Sequence, residues 1–221
     1  MPSALILGAS RGIGLGLTRE LIGRGWQVTA THRSEARDLA ATGARLAVVD
    51  IADDESLAAL ATDLADDRFD HVLINAGIIG SRADTATNVN RDAMTALFWT
   101  NAIAPIRAAR RLLPLVKDGG SIGFMTSILG SVGGRSSSWA ELYSASKAAL
   151  NSLTRGFAVQ DVGQRPVAVL NLHPGWVKTD MGGPDADIDV ATSVAGLANV
   201  IETTRPPGQR YLDYTGATIP W

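Results

Sequence analysis

Short apolar runs alternate with amphipathic segments along the whole chain. The first run, residues 4–7, ends at a glycine and is followed by apolar positions at helical spacing up to residue 22. A short apolar run before a glycine predicts a buried strand, and the spacing after it predicts a helix. Similar runs predict strands at 25–33, 45–50, 71–74, 121–127, 167–173 and 209–214. Helices are predicted at 15–22, 35–41, about 53–65, about 88–116, around residue 143 and from 189 to about 203.

Strands that alternate with helices in this way are typical of one fold class. Six or seven strands with intervening helices predict an α/β protein with a doubly wound parallel sheet of Rossmann type and helices on both faces. No internal repeat, linker or low-complexity segment interrupts the pattern, and 221 residues suffice for one sizeable core. We therefore expect residues 1–221 to form a single domain.

Composition and charge exclude several classes of function. Hydrophobic residues make up 46% and charged residues 19% of the chain, as in soluble globular proteins. A net charge of −2 gives no electrostatic case for binding nucleic acid or an anionic membrane. There are no cysteines, and the acidic cluster at 53–55 is interpreted as a helix cap, so no metal site is predicted. Because the chain lacks signal-peptide features and any run able to cross a bilayer, we expect a cytoplasmic protein.

A glycine-rich turn separates the first predicted strand from the first predicted helix. Gly8, Gly12 and Gly14 give the spacing G-x3-G-x-G. A strand, a glycine turn and a helix in this order direct free backbone N–H groups and the positive helix end at a phosphate. The turn therefore predicts phosphate binding, with an ordinary strand-to-helix connection as the alternative.

The tips of the second and third strands bear on which dinucleotide is preferred. An acidic residue at the second tip favours ribose hydroxyls, whereas an arginine suits a 2′-phosphate. This chain has His32 and Arg33 there and no carboxylate, and Arg11 in the glycine turn adds a second cation. The pattern favours NADP(H), with NAD(H) still possible and a solvated Arg33 as the alternative. Asp50, at the end of the third strand, is expected either to reach an adenine edge or to cap the next turn.

A second group of polar residues indicates acid–base chemistry. Tyr143 and Lys147 are four residues apart, so on a helix they lie on the same face. A nearby ammonium should favour the phenolate and move the tyrosine towards working pH, although an ordinary exposed pair would have the same spacing. Ser127 ends the fifth predicted strand, where open α/β sheets bind ligands. Asn101 lies inside a predicted helix and is expected to have a polar role there.

Taken together, these residues resemble the short-chain dehydrogenase/reductase family over essentially the whole chain. The family's catalytic tetrad is matched, in order and approximate spacing, by Asn101, Ser127, Tyr143 and Lys147. The resemblance implies an NAD(P)-binding domain whose cofactor-binding residues are Gly8, Ser10, Arg11, Gly12, Ile13, Gly14, Arg33, Asp50, Ile51, Asn75, Ala76, Gly77, Tyr143, Lys147, Pro174, Gly175, Val177 and Thr179.

A narrower likeness points to the C-factor and sniffer-type carbonyl reductases. It rests on the segments 30–33, 127–131, 173–184 and 211–221, and this subgroup is generally taken to use NADPH on carbonyl compounds. Two features depart from the family pattern. Ile74 stands where the family has the first of two asparagines, and Ser127 and Tyr143 are further apart than usual. The Gly- and Ser-rich loop at 130–138 is expected to absorb the extra residues.

The resemblance implies a reaction and its alternatives. It implies NADP(H)-dependent reduction of an aldehyde, ketone or quinone, with Tyr143 as proton donor and Ser127 bonding the oxyanion. Lys147 would bond the nicotinamide ribose, and Asn101 would hold a water that links Lys147 to solvent. The alternatives are a non-catalytic NADP(H)-binding sensor on the same fold and a secondary-alcohol dehydrogenase working in the oxidative direction. Family analogy also implies a homodimer or homotetramer.

Apolar residues near the expected site are candidates for a substrate pocket. The short connection after Met181 suggests an open pocket that tolerates bulky carbonyls. A stripe of such residues is more often plain core, which is the alternative here. The candidate wall residues are Ile128, Leu129, Trp139, Trp176 and Met181.

Overall fold

Seven parallel strands form one sheet at the centre of the molecule. The computed structural model describes residues Met1–Trp221. The strand order is β3-β2-β1-β4-β5-β6-β7, which confirms the predicted doubly wound sheet. The strands are β1 Ser3–Leu7, β2 Gln27–His32, β3 Arg45–Val48, β4 Phe69–Ile74, β5 Val116–Met125, β6 Ala168–His173 and β7 Gly208–Asp213.

Helices cover both faces of the sheet, and each face has its own hydrophobic cluster. One cluster of 20 buried residues joins α1, α2 and α7 to the sheet, and a second of 26 joins α3, α5 and α6 to it. The strands are therefore covered on both sides, as their nearly continuous apolar runs require. The helices are α1 Gly12–Gly23, α2 Arg37–Ala40, α3 Asp54–Asp63, α4 Arg91–Phe98, α5 Ala104–Leu112, α6 Glu141–Phe157 and α7 Val190–Thr203. No helix has the length and apolar character needed to span a membrane.

The segment predicted as one helix at 88–116 is divided into several elements. A π-helical segment, Trp99–Ile103, separates α4 from α5, and a 3-10 turn, Leu113–Leu115, ends the helical region. Pro105 follows the π segment and Pro114 lies in the final turn, where a missing N–H is tolerated. β5 begins at Val116, which pairs with Phe69 of β4. The strand ends at Met125, so Ser127 lies beyond it rather than in it.

Some helices have a side-chain cap at their N-terminus and others do not. Side chains of Asp53, Asn90 and Asp189 accept hydrogen bonds from the first turns of α3, α4 and α7. Helix α1 has neither a side-chain cap nor an acidic residue in its first turn. Since the free N–H groups of a helix start need a partner, α1 is left open to an external anion.

Candidate active site

The glycine turn is packed tightly against the end of β4. Gly8 has φ +85°, and a Cβ added there would lie 2.8 Å from the backbone of Ala76. A Cβ at Gly14 would lie 2.7 Å from the Asn75 amide and would collide with the Gly8 carbonyl oxygen. Asn75 Nδ2 donates to that same oxygen at 2.7 Å. Asn75 therefore braces the turn, although Ile74 has replaced the first asparagine of the family motif.

Some backbone N–H groups of this turn have a hydrogen-bond acceptor within the protein, and others do not. Gly8 N donates to Thr31 Oγ1 at 3.1 Å, and Ala9 N donates to the Thr31 carbonyl at 2.8 Å. The first hydrogen bond of α1 runs from Leu15 N to the Arg11 carbonyl. The amides of residues 10–14 lie between these points, at the uncapped helix end. This arrangement fits the phosphates of a dinucleotide.

Two ion pairs lie near the turn and the tips of β2 and β3. Arg33 Nη1 lies 3.7 Å from Asp50 Oδ2, and Asp50 Oδ1 also accepts from Ala52 N at 2.9 Å. Asp50 thus closes the following turn while facing Arg33. Arg11 Nη1 donates to Asp180 Oδ2 at 2.9 Å, and both side chains are 78% exposed. Exposed pairs of this kind contribute little stability, so a phosphate could engage either arginine.

Tyr143 and Lys147 lie one turn apart on α6, as their spacing predicts. Lys147 Nζ is 5.8 Å from the centroid of the Tyr143 ring. The ammonium is buried and donates to the Met125 carbonyl at 2.9 Å. Burial lowers the pKa of Lys147 from its usual value of 10.5 to about 8. The lysine therefore titrates near the pH range in which an enzyme works.

The pKa of Tyr143 is shifted in the direction opposite to our prediction. Burial raises it from 10.0 to about 12, and the nearby Ser127 hydroxyl opposes only part of that rise. The prediction that the pKa of Tyr143 would move down towards working pH is therefore wrong for this structure. The cost of removing a charged phenolate from water is the largest cause of this rise. At neutral pH the phenol keeps its proton and can act as an acid.

Ser127 lies in a sharp corner after β5. Its side chain caps the 3-10 turn Ile128–Gly130, with Leu129 N donating to Ser127 Oγ at 3.2 Å. Gly130 N donates to the Ser127 carbonyl at 2.8 Å. Because the hydroxyl oxygen accepts from Leu129, its own proton remains available to another acceptor. The cavity next to this corner is where such an acceptor can bind.

Asn101 lies in the π-helical segment and is fully buried. Its Oδ1 accepts from Ile78 N at 2.8 Å, while Nδ2 donates to the Ile78 carbonyl at 2.7 Å and to Ser146 Oγ at 3.0 Å. A Cβ added at Gly77 would lie 3.2 Å from Asn101 Oδ1 and 3.4 Å from Lys147 Nζ. The predicted polar role of Asn101 is confirmed. Its side chain holds the segment after β4 beside the lysine.

A cavity of about 700 Å³ opens at the carboxyl ends of the strands. Ser127 and Tyr143 both line it, and so do all five residues predicted as a pocket wall, which confirms that prediction: Ile128, Leu129, Trp139, Trp176 and Met181. The cavity also contacts the cofactor-binding candidates Ile13, Pro174, Gly175, Val177 and Thr179.

The remaining candidates lie outside the cavity. Arg33, Asp50 and the buried Ile51 lie at the tips of the strands on the opposite half of the sheet edge. Lys147 and Asn101 are buried and do not line the cavity. Ser10 belongs to the open part of the glycine turn. This spread, from strand tips across the turn to the cavity, suits an extended dinucleotide.

Sequence reasoning did not single out several residues at the cavity. Tyr214 comes from the segment after β7, and Asp187 comes from the loop before α7. His173 ends β6, and burial lowers its pKa to about 4. Only His173 carried a usable signal, since it directly precedes the Pro-Gly pair. The other two reach the site through long-range folding, which local patterns do not encode.

The sequence model described as short chain dehydrogenase matches residues 2–187. The chain belongs to the short-chain dehydrogenase family. It is 36% identical to the C-signal of Myxococcus xanthus over 166 residues, which is 74% of this chain and 99% of that protein. Among solved structures, this short-chain dehydrogenase superposes on a carbonyl reductase from Pseudomonas aeruginosa PAO1 in complex with NADP. That pair has 39% identity, a TM-score of 0.91 and full coverage of both chains.

The narrower likeness is confirmed by a second structure. The carbonyl reductase Sniffer of D. melanogaster is 30% identical to this short-chain dehydrogenase, with a TM-score of 0.89 and full coverage of both chains. Together with the C-signal match, this agrees with the subgroup indicated by the sequence. The protein is therefore an oxidoreductase of this family, with NADP-bound carbonyl reductases among its structural neighbours.

Proposed function

We propose that this protein is an NADP(H)-dependent carbonyl reductase. The observation that carries the proposal is the pairing of a protonated Tyr143 phenol with the Ser127 hydroxyl at an apolar cavity. A carbonyl oxygen placed between them would meet one proton donor and one hydrogen-bond donor. Both interactions strengthen as negative charge develops on that oxygen during reduction.

The residues around the glycine turn fit a dinucleotide phosphate. The amides of residues 10–14 stand at an uncapped helix start with no acidic neighbour in the first turn. Arg33 and Arg11 are exposed cations that support preference for a 2′-phosphate, and hence for NADPH over NADH. When bound, NADPH supplies the hydride that reduces the carbonyl carbon.

The chain's own residues then handle the oxygen and the proton. Ser127 donates a hydrogen bond to the carbonyl oxygen, and Tyr143 transfers its phenolic proton to that oxygen as charge develops. Lys147, held 5.8 Å from the ring, stabilises the phenolate that remains. The raised pKa of Tyr143 keeps the phenol protonated at neutral pH, which is the form that donates a proton during reduction.

The cavity favours uncharged, apolar carbonyl substrates. None of its lining residues is a lysine or an arginine, and Asp187 is the one lining carboxylate. Arg82 is not among the lining residues; its guanidinium stacks 5.2 Å from the centroid of the Trp139 ring and donates to the Met181 carbonyl at 2.6 Å. A carboxylate on the substrate would lose hydration without gaining a cation. Neutral aryl or alkyl aldehydes, ketones and quinones fit better.

The proposal is tested by NADPH oxidation with matched aldehydes. We expect turnover of benzaldehyde, and a kcat/KM at least about tenfold lower for 4-carboxybenzaldehyde. Asp187→Asn should reduce the difference in kcat/KM between the two aldehydes, because it removes the lining carboxylate. Tyr143→Phe should abolish turnover while NADPH still quenches protein fluorescence, and Tyr214→Phe, which alters another cavity-lining phenol, is the matched control. NADPH binding without turnover of any carbonyl would favour the sensor alternative instead.

We also propose self-association through the α4–α5 side of the molecule. Three large apolar side chains are partly exposed there, with exposed fractions of 36% for Met94, 38% for Trp99 and 37% for Ile103, and Leu153 on α6 is 37% exposed. Burial of such residues is the usual driving force for association. Light scattering should give a dimer or tetramer, and a monomeric mass would contradict this.

A further inference from the structure

Tyr211 on β7 reaches into the corner that carries Ser127. Its side chain is 1% exposed, and its hydroxyl donates to the Ser127 carbonyl at 2.5 Å. The contact joins residues 84 positions apart in the sequence. Gly130 N is the second donor to the same carbonyl. The backbone of Ser127 is therefore fixed from the local turn and from the edge strand of the sheet.

The segment that follows β7 holds Tyr211 in place. Ile219 N donates to the Tyr211 carbonyl at 2.9 Å, and the Trp221 ring packs at 5.3 Å from the Tyr211 ring. The guanidinium of Arg155, on α6, lies over the Trp221 ring at 5.3 Å from its centroid. The buried Tyr211 ring, packed against the partly exposed Trp221 ring, is restricted in its rotamer by this contact.

The same segment also holds the loop beyond Ser127. Ser131 Oγ donates to the Pro220 carbonyl at 2.5 Å, and Gly133 N donates to the Trp221 carbonyl at 3.0 Å. We name residues 211 and 219–221 the β7 clasp. It contacts the corner at Ser127, at Ser131 and at Gly133, so the start of the Gly- and Ser-rich loop is pinned rather than free.

A buried polar network supports the corner from the opposite side. Thr126 Oγ1 donates to Asn151 Oδ1 at 2.9 Å, and Asn151 Nδ2 donates to the Gly130 carbonyl at 3.1 Å. These bonds fix the residues on either side of Ser127 but leave its own carbonyl to Tyr211 and Gly130. Tyr211 is thus the one side chain that bonds directly to the Ser127 backbone.

We infer that Tyr211 is a positioning residue, which holds the Ser127 backbone so that its hydroxyl faces the reacting oxygen beside Tyr143. The inference rests on the proposed reductase function. Burial raises the pKa of Tyr211 to about 12, so the phenol stays a donor throughout the working pH range. Without the hydroxyl, the Ser127 carbonyl keeps only the hydrogen bond from Gly130 N, and the Ser127 backbone can shift so that its side chain turns away from the cavity.

Tyr211→Phe tests this directly because it removes the hydroxyl and keeps the ring. We expect kcat for benzaldehyde to fall on the order of tenfold, since small displacements of an oxyanion donor reduce rates strongly. The Kd for NADPH should not change. In a Ser127→Ala background, which keeps the backbone carbonyl but lacks the hydroxyl, Tyr211→Phe should have no further effect on kcat.

Two further variants separate positioning from stability. Phe157→Leu loosens the packed Phe124–Phe157 pair in the core and should lower Tm without changing kcat of the folded enzyme. Ser131→Ala releases another contact of the β7 clasp and should lower kcat by a smaller factor than Tyr211→Phe.

The outcomes distinguish the two proposals. If Tyr211→Phe lowers Tm but not kcat, or lowers kcat equally in the Ser127→Ala background, Tyr211 has only a structural role and the inference is wrong. If the wild-type protein turns over no carbonyl, or Ser127→Ala does not slow it, the proposed function fails and the inference fails with it.

Discussion

His71 lies at the centre of the sheet with no exposed surface, and it gives the protein a defined sensitivity to acid. Its Nδ1 is 2.7 Å from Ser121 Oγ, and its Nε2 has no hydrogen-bond partner. An imidazolium at this position would carry a second N–H with nothing to accept it. Burial accordingly lowers the pKa of His71 from 6.5 to about 3.

The size of the effect follows from linkage between protonation and folding. Because the pKa of His71 is lower in the folded protein, the unfolded chain binds the extra proton between about pH 3 and 6.5. The contribution of His71 to the free energy of unfolding is therefore fully present above pH 6.5 and is lost as the pH falls below it. At pH 5 the loss is about 2 kcal/mol relative to pH 7.5. His173, with its pKa lowered to about 4, adds a similar loss. Together they remove about 4 kcal/mol from a typical total of about 5–15 kcal/mol.

Denaturant unfolding at pH 7.5 and pH 5 measures this loss. The double variant His71→Leu, Ser121→Ala replaces both partners by apolar side chains and should lose about 2 kcal/mol less than the wild type between the two pH values. His32→Gln, a histidine change outside the core, is the matched control and should behave like the wild type. Equal losses in the double variant and the wild type would refute the assignment of this acid sensitivity to His71.

Three further perturbations have defined outcomes. Gly14→Ala should weaken NADPH binding severely, because the new Cβ would press against Asn75 Nδ2 and the Gly8 carbonyl. Fluorescence titration with NADPH measures the affinity, and an unchanged Kd would contradict the close packing. Arg33→Ser should weaken NADPH binding about tenfold and leave NADH binding nearly unchanged, and an equal loss for both would contradict the role at the 2′-phosphate. The reduction rate should fall as the pH rises above about 8, where Lys147 loses its proton, and Lys147→Arg should lack this fall; a flat wild-type profile would contradict the need for the ammonium.

Much of the framework could be predicted from local patterns. The glycine turn, the strand tips and the Tyr143–Lys147 spacing depend on residues close in sequence, and periodicity expresses their geometry directly. The helix bounds at 88–116 were less predictable, because the π segment around Asn101 depends on hydrogen bonds from its side chain to Ile78 and Ser146.

The sequence by itself determined which chemical groups this protein carries and the order in which the sheet presents them. Only the tertiary structure decided their electrostatics and fine placement. The pKa of Tyr143 rises although Lys147 is one turn away, because desolvation depends on everything packed around the ring. Tyr211 bonds to Ser127 across 84 positions, and Asp187 lines a cavity that has no lysine or arginine among its lining residues. Burial and long-range contacts are properties of the folded chain, and no local spacing records them.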